Sequence, residues 1–260
     1  MAGTRSLLET WYADHGRHQL PWRATRDRWA VLVSEVMLHQ TQASRVEVAW
    51  PAFLAEFPTA TTMAAAGPGD VIRAWGRLGY PRRARRLWEA ASRIASEGWP
   101  EDLTELPGVG SYTAGALRAQ ADDADVAAVD VNIRRVVERV VGRRLSIRDT
   151  ETEMVRVGRP LRGRDRLLAL MDVGALLCRP SDPRCGTCPL RRRCRTRGEL
   201  PPVQRARPAP FDGSFRQRRG SVLARLRAGP TPLALLDREA LESLRRDGLA
   251  VADDTTARLP

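Results

Sequence analysis

The 260-residue chain predicts an all-α fold, and three observations carry that reading. Apolar residues recur at helical spacing in most segments. The two-residue alternation of a half-buried strand is nearly absent. Proline and glycine fall between the periodic stretches, at Pro21, Pro58, Gly67-Pro68-Gly69, Pro100 and Pro107-Gly108, where they act as punctuation.

In chain order, helices are expected over 7–13, 29–38, 45–57, 70–75, 82–96, 111–121, 132–141 and 165–177. The second of these, WAVLVSEVML, is apolar on almost every side of a helical wheel, which marks a buried helix. The seventh sets Ile133, Val136, Val137, Val140 and Val141 on one clean face. After the helical body, residues 199–212 read as a linker within a stretch rich in proline and arginine. Residues 213–260 read as a small unit: two helices, then a short hairpin around Asp253-Asp254, a winged-helix-like arrangement. No internal repeat stands out.

Composition points to the partner. Lysine and arginine total 43 against 31 acidic residues, a formal charge of +12, and every one of those cations is arginine. A coding bias accounts for missing lysine but not for the net charge. The guanidinium fork grips phosphate in two places, so nucleic acid is the leading partner class and an anionic membrane surface the weaker one. The N-terminal stretch has acids early and no apolar core of signal-peptide length, and no run approaches a transmembrane span. The expectation is a cytoplasmic, nucleoid-associated protein with no membrane partner, in a compartment where structural disulfides are rare.

All four cysteines lie in CRPSDPRCGTCPLRRRC, at Cys178, Cys185, Cys188 and Cys194. Structural zinc usually shows two short C-x2-C knuckles separated by a longer loop. Here only Cys185 and Cys188 form such a pair. Four thiolates in one compact loop suit a [4Fe–4S] cluster, in which each iron takes one thiolate, with zinc as the alternative. Arg184, Arg191, Arg192, Arg193 and Arg195 surround these ligands, placed either to meet a phosphate backbone or as a solvated charge run.

LPGVG, residues 106–110, precedes the helix expected at 111. Its two glycines allow a tight turn and close approach, and the helix behind it aims free N–H groups at the turn. A helix–hairpin–helix grip on a DNA backbone and a plain structural turn both fit. A P-loop does not, since the Gly-Lys-Ser/Thr ending is missing.

Two carboxylates sit in apolar settings. Glu35, on the apolar helix with Ser34, should have a raised pKa that suits a general acid; pairing with an arginine is the alternative. Asp130 stands just before the 132–141 helix, where capping would fix the carboxylate and favour its ionised form. A protonated acid with an ionised carboxylate is the arrangement that cleaves glycosidic bonds.

These residues resemble a family. LPWR (20–23), SEVMLHQTQ (34–42), RLGYPRRARRL (77–87), LPGVGSYTAGA (106–116), VDVNIRRV (129–136), MDVGALLC (171–178) and the cysteine loop appear in the order found in the helix–hairpin–helix DNA glycosylases of the endonuclease III superfamily. The likeness is greatest to the MutY-type adenine DNA glycosylases, and it covers roughly residues 5–195. The resemblance implies a two-lobed fold with DNA and the active site in the cleft. One lobe is a six-helix barrel over 25–131. The other joins 1–24 to 132–198 with the cluster loop. It implies base flipping, and the expectation is a monomer acting on a mispair in double-stranded DNA.

The resemblance also implies roles. Glu35 protonates adenine N7, and Asp130 stabilises the oxocarbenium-like sugar or forms a transient adduct. Gln40 and Tyr80 enter the base stack. Trp22, Arg23 and Asp172 wall the base pocket, where Asp172 accepts a hydrogen bond from an exocyclic amine such as adenine N6; pairing with a nearby arginine is the alternative. Leu106, Gly108, Val109 and Gly110 hold the DNA backbone. Tyr112 occupies the position where strand-cutting relatives carry a Schiff-base lysine. With no lysine in the chain, the expectation is a monofunctional glycosylase that leaves an abasic site; only the N-terminal amine could supply lyase chemistry.

The match departs at three places. His39 replaces a glutamine, as a satisfied histidine or one that touches substrate. Val131 stands where a glycine is common and could crowd Asp130. The chain after Cys194 is too short for the Nudix-like domain that reads 8-oxoguanine. Three functions follow: removal of adenine opposite guanine or 8-oxoguanine, removal of thymine or uracil from a mismatch, or a catalytically silent DNA-binding module.

Overall fold

The computed structural model describes residues 5–198, 200–201 and 210–260. Most of the linker expected at 199–212, and the N-terminal amine, lie outside the described residues. Twelve α-helices run through them: α1 (Leu7–His15), α2 (Arg28–Leu38), α3 (Ala43–Glu56), α4 (Ala60–Ala65), α5 (Pro68–Ala74), α6 (Arg82–Glu97), α7 (Ser111–Ala121), α8 (Val131–Val141), α9 (Ile147–Val157), α10 (Gly163–Asp172), α11 (Phe215–Ala228) and α12 (Arg238–Arg246). The strands are β1 (Thr231–Pro232), β2 (Val251–Ala252) and β3 (Thr256–Arg258). The all-α expectation holds for the body of the chain.

Two helices escaped the periodicity reading. The short α4 is one. The other, α9, buries only Thr150, Met154 and Val157, so its apolar stripe is diluted by charged residues. Its start was nonetheless written in the sequence, since Ser146 caps it by accepting from the Asp149 N–H at 3.1 Å.

The described residues fall into two compact units, Met1–Glu35 with Val109–Gln204 and Val36–Gly108 with Arg205–Pro260. These bounds are not those of the expected lobes. Residues 25–35 and 109–131 group with the first unit, and the C-terminal segment groups with the second. The core of the first unit explains part of this. Ala116 and Ala119 of α7 pack in one cluster with Leu8, Ile133, Val137, Leu167 and Leu170. Small alanines on α7 let the neighbouring helices close on it, and burial of such clusters is the main stabilising contribution.

In the second unit α6 packs on α4 and α5. Phe53 meets Phe57 and Trp75 edge-on at 5.0 and 5.8 Å. The C-terminal segment has the expected two helices and a hairpin, with β1 added to give an antiparallel sheet of order β1-β3-β2. Asp253 turns the hairpin by accepting from the Thr255 and Thr256 N–H groups, both at 2.8 Å. The segment joins the second unit through arginines: Arg82 pairs with Asp247 at 3.1 Å, Arg85 donates to the Asp247 carbonyl at 3.1 Å, and Arg227 donates to the Ile72 carbonyl at 3.2 Å.

Candidate active site

Glu35 is buried in α2 with Ser34 beside it. Ser34 is satisfied within its own helix, donating to the Val31 carbonyl at 2.8 Å, and so offers nothing to a ligand. Glu35 instead reaches across the first unit. Gln120, itself buried near the end of α7, donates from Nε2 to Glu35 Oε1 at 2.7 Å. Tyr112, near the start of the same helix, hydrogen-bonds the same carboxyl. Burial pushes the Glu35 carboxyl above its ordinary range; the Gln120 and Tyr112 bonds draw it back, and the charge of Asp130 raises it again. Tyr112 stays a neutral phenol, because burial and the carboxyl groups of Glu35 and Asp130 all raise it well above its ordinary value.

Asp130 caps α8. Its Oδ1 accepts from the Ile133 N–H at 2.7 Å, and its Oδ2 accepts from Asn132 Nδ2 at 2.8 Å. Two donors fix the carboxylate and leave lone pairs over, since an ionised carboxylate has about four acceptor sites. Capping and a place beside Glu35 are therefore compatible. Val131, the first helical residue, is 70% exposed.

Asp172 resolves differently from Glu35. It is fully buried, and all its acceptor sites are taken. Arg23 grips both oxygens at 2.6 and 2.8 Å. Arg17 adds its Nε at 2.6 Å and its backbone N–H at 2.9 Å. Burial alone would raise the Asp172 carboxyl, but Arg23 and Arg17 outweigh it and hold the group below its usual range. No acceptor remains for a base amine, and the ion-pair alternative is the one the structure adopts. Asp172 thus anchors Arg23 next to the buried Trp22, and Arg164 holds the Arg23 carbonyl at 2.5 Å from behind.

His39, Gln40 and Tyr80 belong to the second unit. Gln40 and Tyr80 are both exposed, and both have left-handed backbone, at φ 55° and 48°. That conformation is costly for a residue with a side chain and collects at functional sites. One residue holds both turns. Arg83 donates to the carbonyls of Val36 (2.7 Å) and Met37 (3.0 Å), to Thr41 Oγ1 (3.0 Å) and to the Gly79 carbonyl (3.1 Å). Its guanidinium also lies 5.4 Å from the Tyr80 ring centroid. His39 is half-buried, and burial with the Arg83 charge lowers its pKa, so it is neutral near pH 7.

Within the hairpin, Leu106 and Val109 are buried anchors while Gly108 and Gly110 are exposed. Gly108 is required twice over: its φ is +81°, and a Cβ there would lie 3.0 Å from Arg86 Cβ. Gly110 is the N-cap of α7 and supplies no side-chain cap.

Among the described residues, no group of three or more His, Cys, Asp or Glu side chains closes tightly enough to hold one metal ion. The four cysteines nevertheless line one small cavity floored by Val136, Val140 and Leu177. Arg139 reaches Cys178 Sγ at 3.4 Å, and the Arg197 N–H reaches Cys194 Sγ at 3.4 Å. Arg135 donates to the Cys178 carbonyl at 2.6 Å. Donors aimed at sulfur fit an anionic iron–sulfur group, whose irons take one thiolate each. The arginines at 184, 191–193 and 195 are exposed around this loop.

Sequence reasoning missed Gln120, Arg17, Arg83, Arg135 and Arg139. The last two share α8 with Asp130, so one helix carries a candidate catalytic carboxylate at its start and supports for the cysteine loop further along.

Residues 33–157 match the family described as HhH-GPD superfamily base excision DNA repair protein. An adenine DNA glycosylase of Mycolicibacterium smegmatis is 44% identical over 266 residues, covering 93% of this chain and 90% of that protein. The adenine DNA glycosylase of Mycobacterium tuberculosis is 38% identical, covering 96% and 92%. Among solved structures, a thermostable thymine-DNA glycosylase aligns with a TM-score of 0.65 at 27% identity, covering 74% of this chain and 93% of that one. Endonuclease III in a non-covalent DNA complex aligns at 0.62 with 20% identity, a likeness of fold.

Proposed function

The chain belongs to the HhH-GPD superfamily of base excision DNA repair proteins, and we propose that within it the protein is a monofunctional adenine DNA glycosylase acting on mispaired duplex. The observation that carries this reading is the buried Glu35, held by Gln120 and Tyr112 within electrostatic reach of Asp130. Burial raises the Glu35 pKa and so favours the protonated form, which serves as the acid that protonates the departing adenine at N7. Asp130, oriented by its two N–H donors, faces the positive charge that develops on the sugar. Tyr112 stays neutral beside both and closes the site without acting as a nucleophile.

Strand cutting by a Schiff base needs an amine, and the chain has no lysine. With the N-terminal amine as the one other candidate, the product proposed is an intact strand with an abasic site. Gln40 and Tyr80 hold the opened duplex, and the exposed glycines of the hairpin meet its backbone. Cys178, Cys185, Cys188 and Cys194 would hold a [4Fe–4S] cluster, which when bound pins the arginine-bearing loop. Among the described residues no helix is long and apolar enough to cross a membrane, in keeping with a cytoplasmic site of action.

A thymine or uracil mismatch glycosylase is the second reading, favoured by the likeness to a thymine-DNA glycosylase. Adenine is preferred because the adenine relatives match at higher identity over more than nine-tenths of the chain. Labelled duplexes carrying A opposite 8-oxoguanine, A opposite G, T opposite G and U opposite G separate the two. Cleavage of the adenine strand only after hot alkali is the expected result. Cleavage of the T or U strand selects the second reading, and cutting before alkali overturns the monofunctional assignment. Binding without any base loss would leave a silent DNA-binding module.

A further inference from the structure

We propose that the C-terminal segment is a duplex-gripping element, with α11 forming one wall of a groove for the DNA sugar–phosphate backbone. This rests on the reading of the protein as a DNA glycosylase. The groove lies wholly within the second unit and measures about 1570 Å³. The Gln40 and Tyr80 turns line it on one side, and α11 lines it on the other. Seven arginines face it against a single carboxylate, Asp247. That carboxylate is shared by Arg82 and Arg219, at 3.1 and 2.5 Å, so it offsets only part of the charge. Arg77 and Arg86 are exposed there with no side-chain partner among the described residues. A field of this sign and density beside candidate base-stack residues fits phosphate.

The shape of α11 agrees. Gly220 sits in the middle of this helix, where glycine is a poor choice. Nothing in the protein asks for it: its backbone is ordinary, and an added Cβ would meet no atom within 4 Å. Ala224, one turn on, is also exposed on the groove. Arg216 lies one turn before Gly220, and Arg227 follows Ala224. The face is a low floor between cations, suited to a backbone lying close against it.

Analogy with winged helices would assign the contact to α12 and the hairpin instead. Charge argues against both. The hairpin turn carries Asp253 and Asp254, and α12 sets Glu239 and Glu242 among its three arginines, whereas α11 carries five arginines and no acid; Glu242 pairs with Arg245 and Glu239 with Arg218 of α11, both at 2.7 Å. The segment has the outline of a winged helix, but the arginines it turns to the groove, Arg216, Arg219 and Arg227, all lie on its first helix.

The test measures binding of the full-length protein to a labelled undamaged duplex across a salt series, with Gly220→Glu and Arg216→Gln beside the wild type. Gly220→Glu should bind about tenfold more weakly. Its melting temperature should not fall, because glutamate is the better helix former. Arg216→Gln should flatten the plot of log affinity against log salt by about one unit of slope. If both variants match the wild type in affinity and slope while the wild type removes adenine, this inference fails and the glycosylase reading survives. If the wild type neither binds duplex nor releases a base, the glycosylase reading fails first. Should Gly220→Glu melt early, the Arg216→Gln slope decides alone.

Discussion

The Glu35 constellation and the Gln40–Tyr80 turns solve opposite problems. Around Glu35 the polar groups are partnered, with Glu35 and Gln120 buried and Tyr112 and Asp130 half-buried: Gln120 and Tyr112 bond the carboxyl, and Asp130 is held by its own helix. At the turns the side chains stand exposed on left-handed backbone, and one arginine restrains them from behind. Breaking a glycosidic bond calls for dipoles fixed in a dry site, where they act without reorganising. Opening a duplex calls for side chains that project, and projection from a tight turn costs backbone strain. The molecule concentrates order in one place and strain in the other.

The sharpest break of this contrast comes from the ordered side. Glu35→Gln and Asp130→Asn should each lower single-turnover adenine release about 10³-fold, with duplex binding nearly unchanged. Rapid-quench assays at saturating enzyme measure the first quantity and anisotropy the second. Release at the wild-type rate in either variant would move the reaction centre elsewhere.

Arg83 comes next, because it is the one ordered element in the strained region. Arg83→Met strands the carbonyls of Val36, Met37 and Gly79 together with Thr41 Oγ1, at a cost of about 2 kcal/mol in stability. Denaturant unfolding reads that cost, and adenine release should fall with it. Arg83→Lys keeps the charge but not the fork, so it recovers only part of the loss.

The strained residues themselves should behave in the reverse sense. Gln40→Gly and Tyr80→Gly remove left-handed strain, so stability should hold or rise by up to about 1 kcal/mol. Adenine release should nonetheless drop about tenfold, since nothing fills the gap in the stack. Tyr80→Gly gains less because it also forfeits the Arg83 contact over the ring. A variant that loses stability and keeps activity would reverse the roles assigned to the two regions.

The two regions were also unequally legible in the sequence. Glu35 was visible as the lone carboxylate on an apolar helix, and Asp130 as the residue before a clean amphipathic one, because burial and capping are local patterns. The hairpin of the C-terminal segment showed itself through Asp253-Asp254. What stayed hidden was partnership. Gln120 lies in RAQADD with nothing to set it apart, and Arg83 is one of five arginines in PRRARR and its flank. Asp172 read equally as an amine acceptor or an ion-pair member until Arg17 and Arg23 filled its lone pairs. Periodicity reports which face is buried; it does not report which side chain waits opposite. The unit boundaries were hidden for the same reason, since small alanines on α7 decide its neighbours only in three dimensions.

The smallest expected effect tests the finest feature of the ordered site. Glu35 must be protonated to act, so adenine release should decline as pH rises through its raised pKa. The Gln120 amide favours the ionised carboxyl and so pulls that pKa down. Gln120→Leu removes the pull, and the pKa moves further up. The alkaline limb of the pH–rate profile should therefore shift to higher pH, and the variant should keep a larger share of its own plateau rate at alkaline pH than the wild type does. A residue that merely filled space would lower the plateau and leave the limb where it was. A shift to lower pH would mean that Gln120 holds the protonated acid instead, and the amide would have to be turned around.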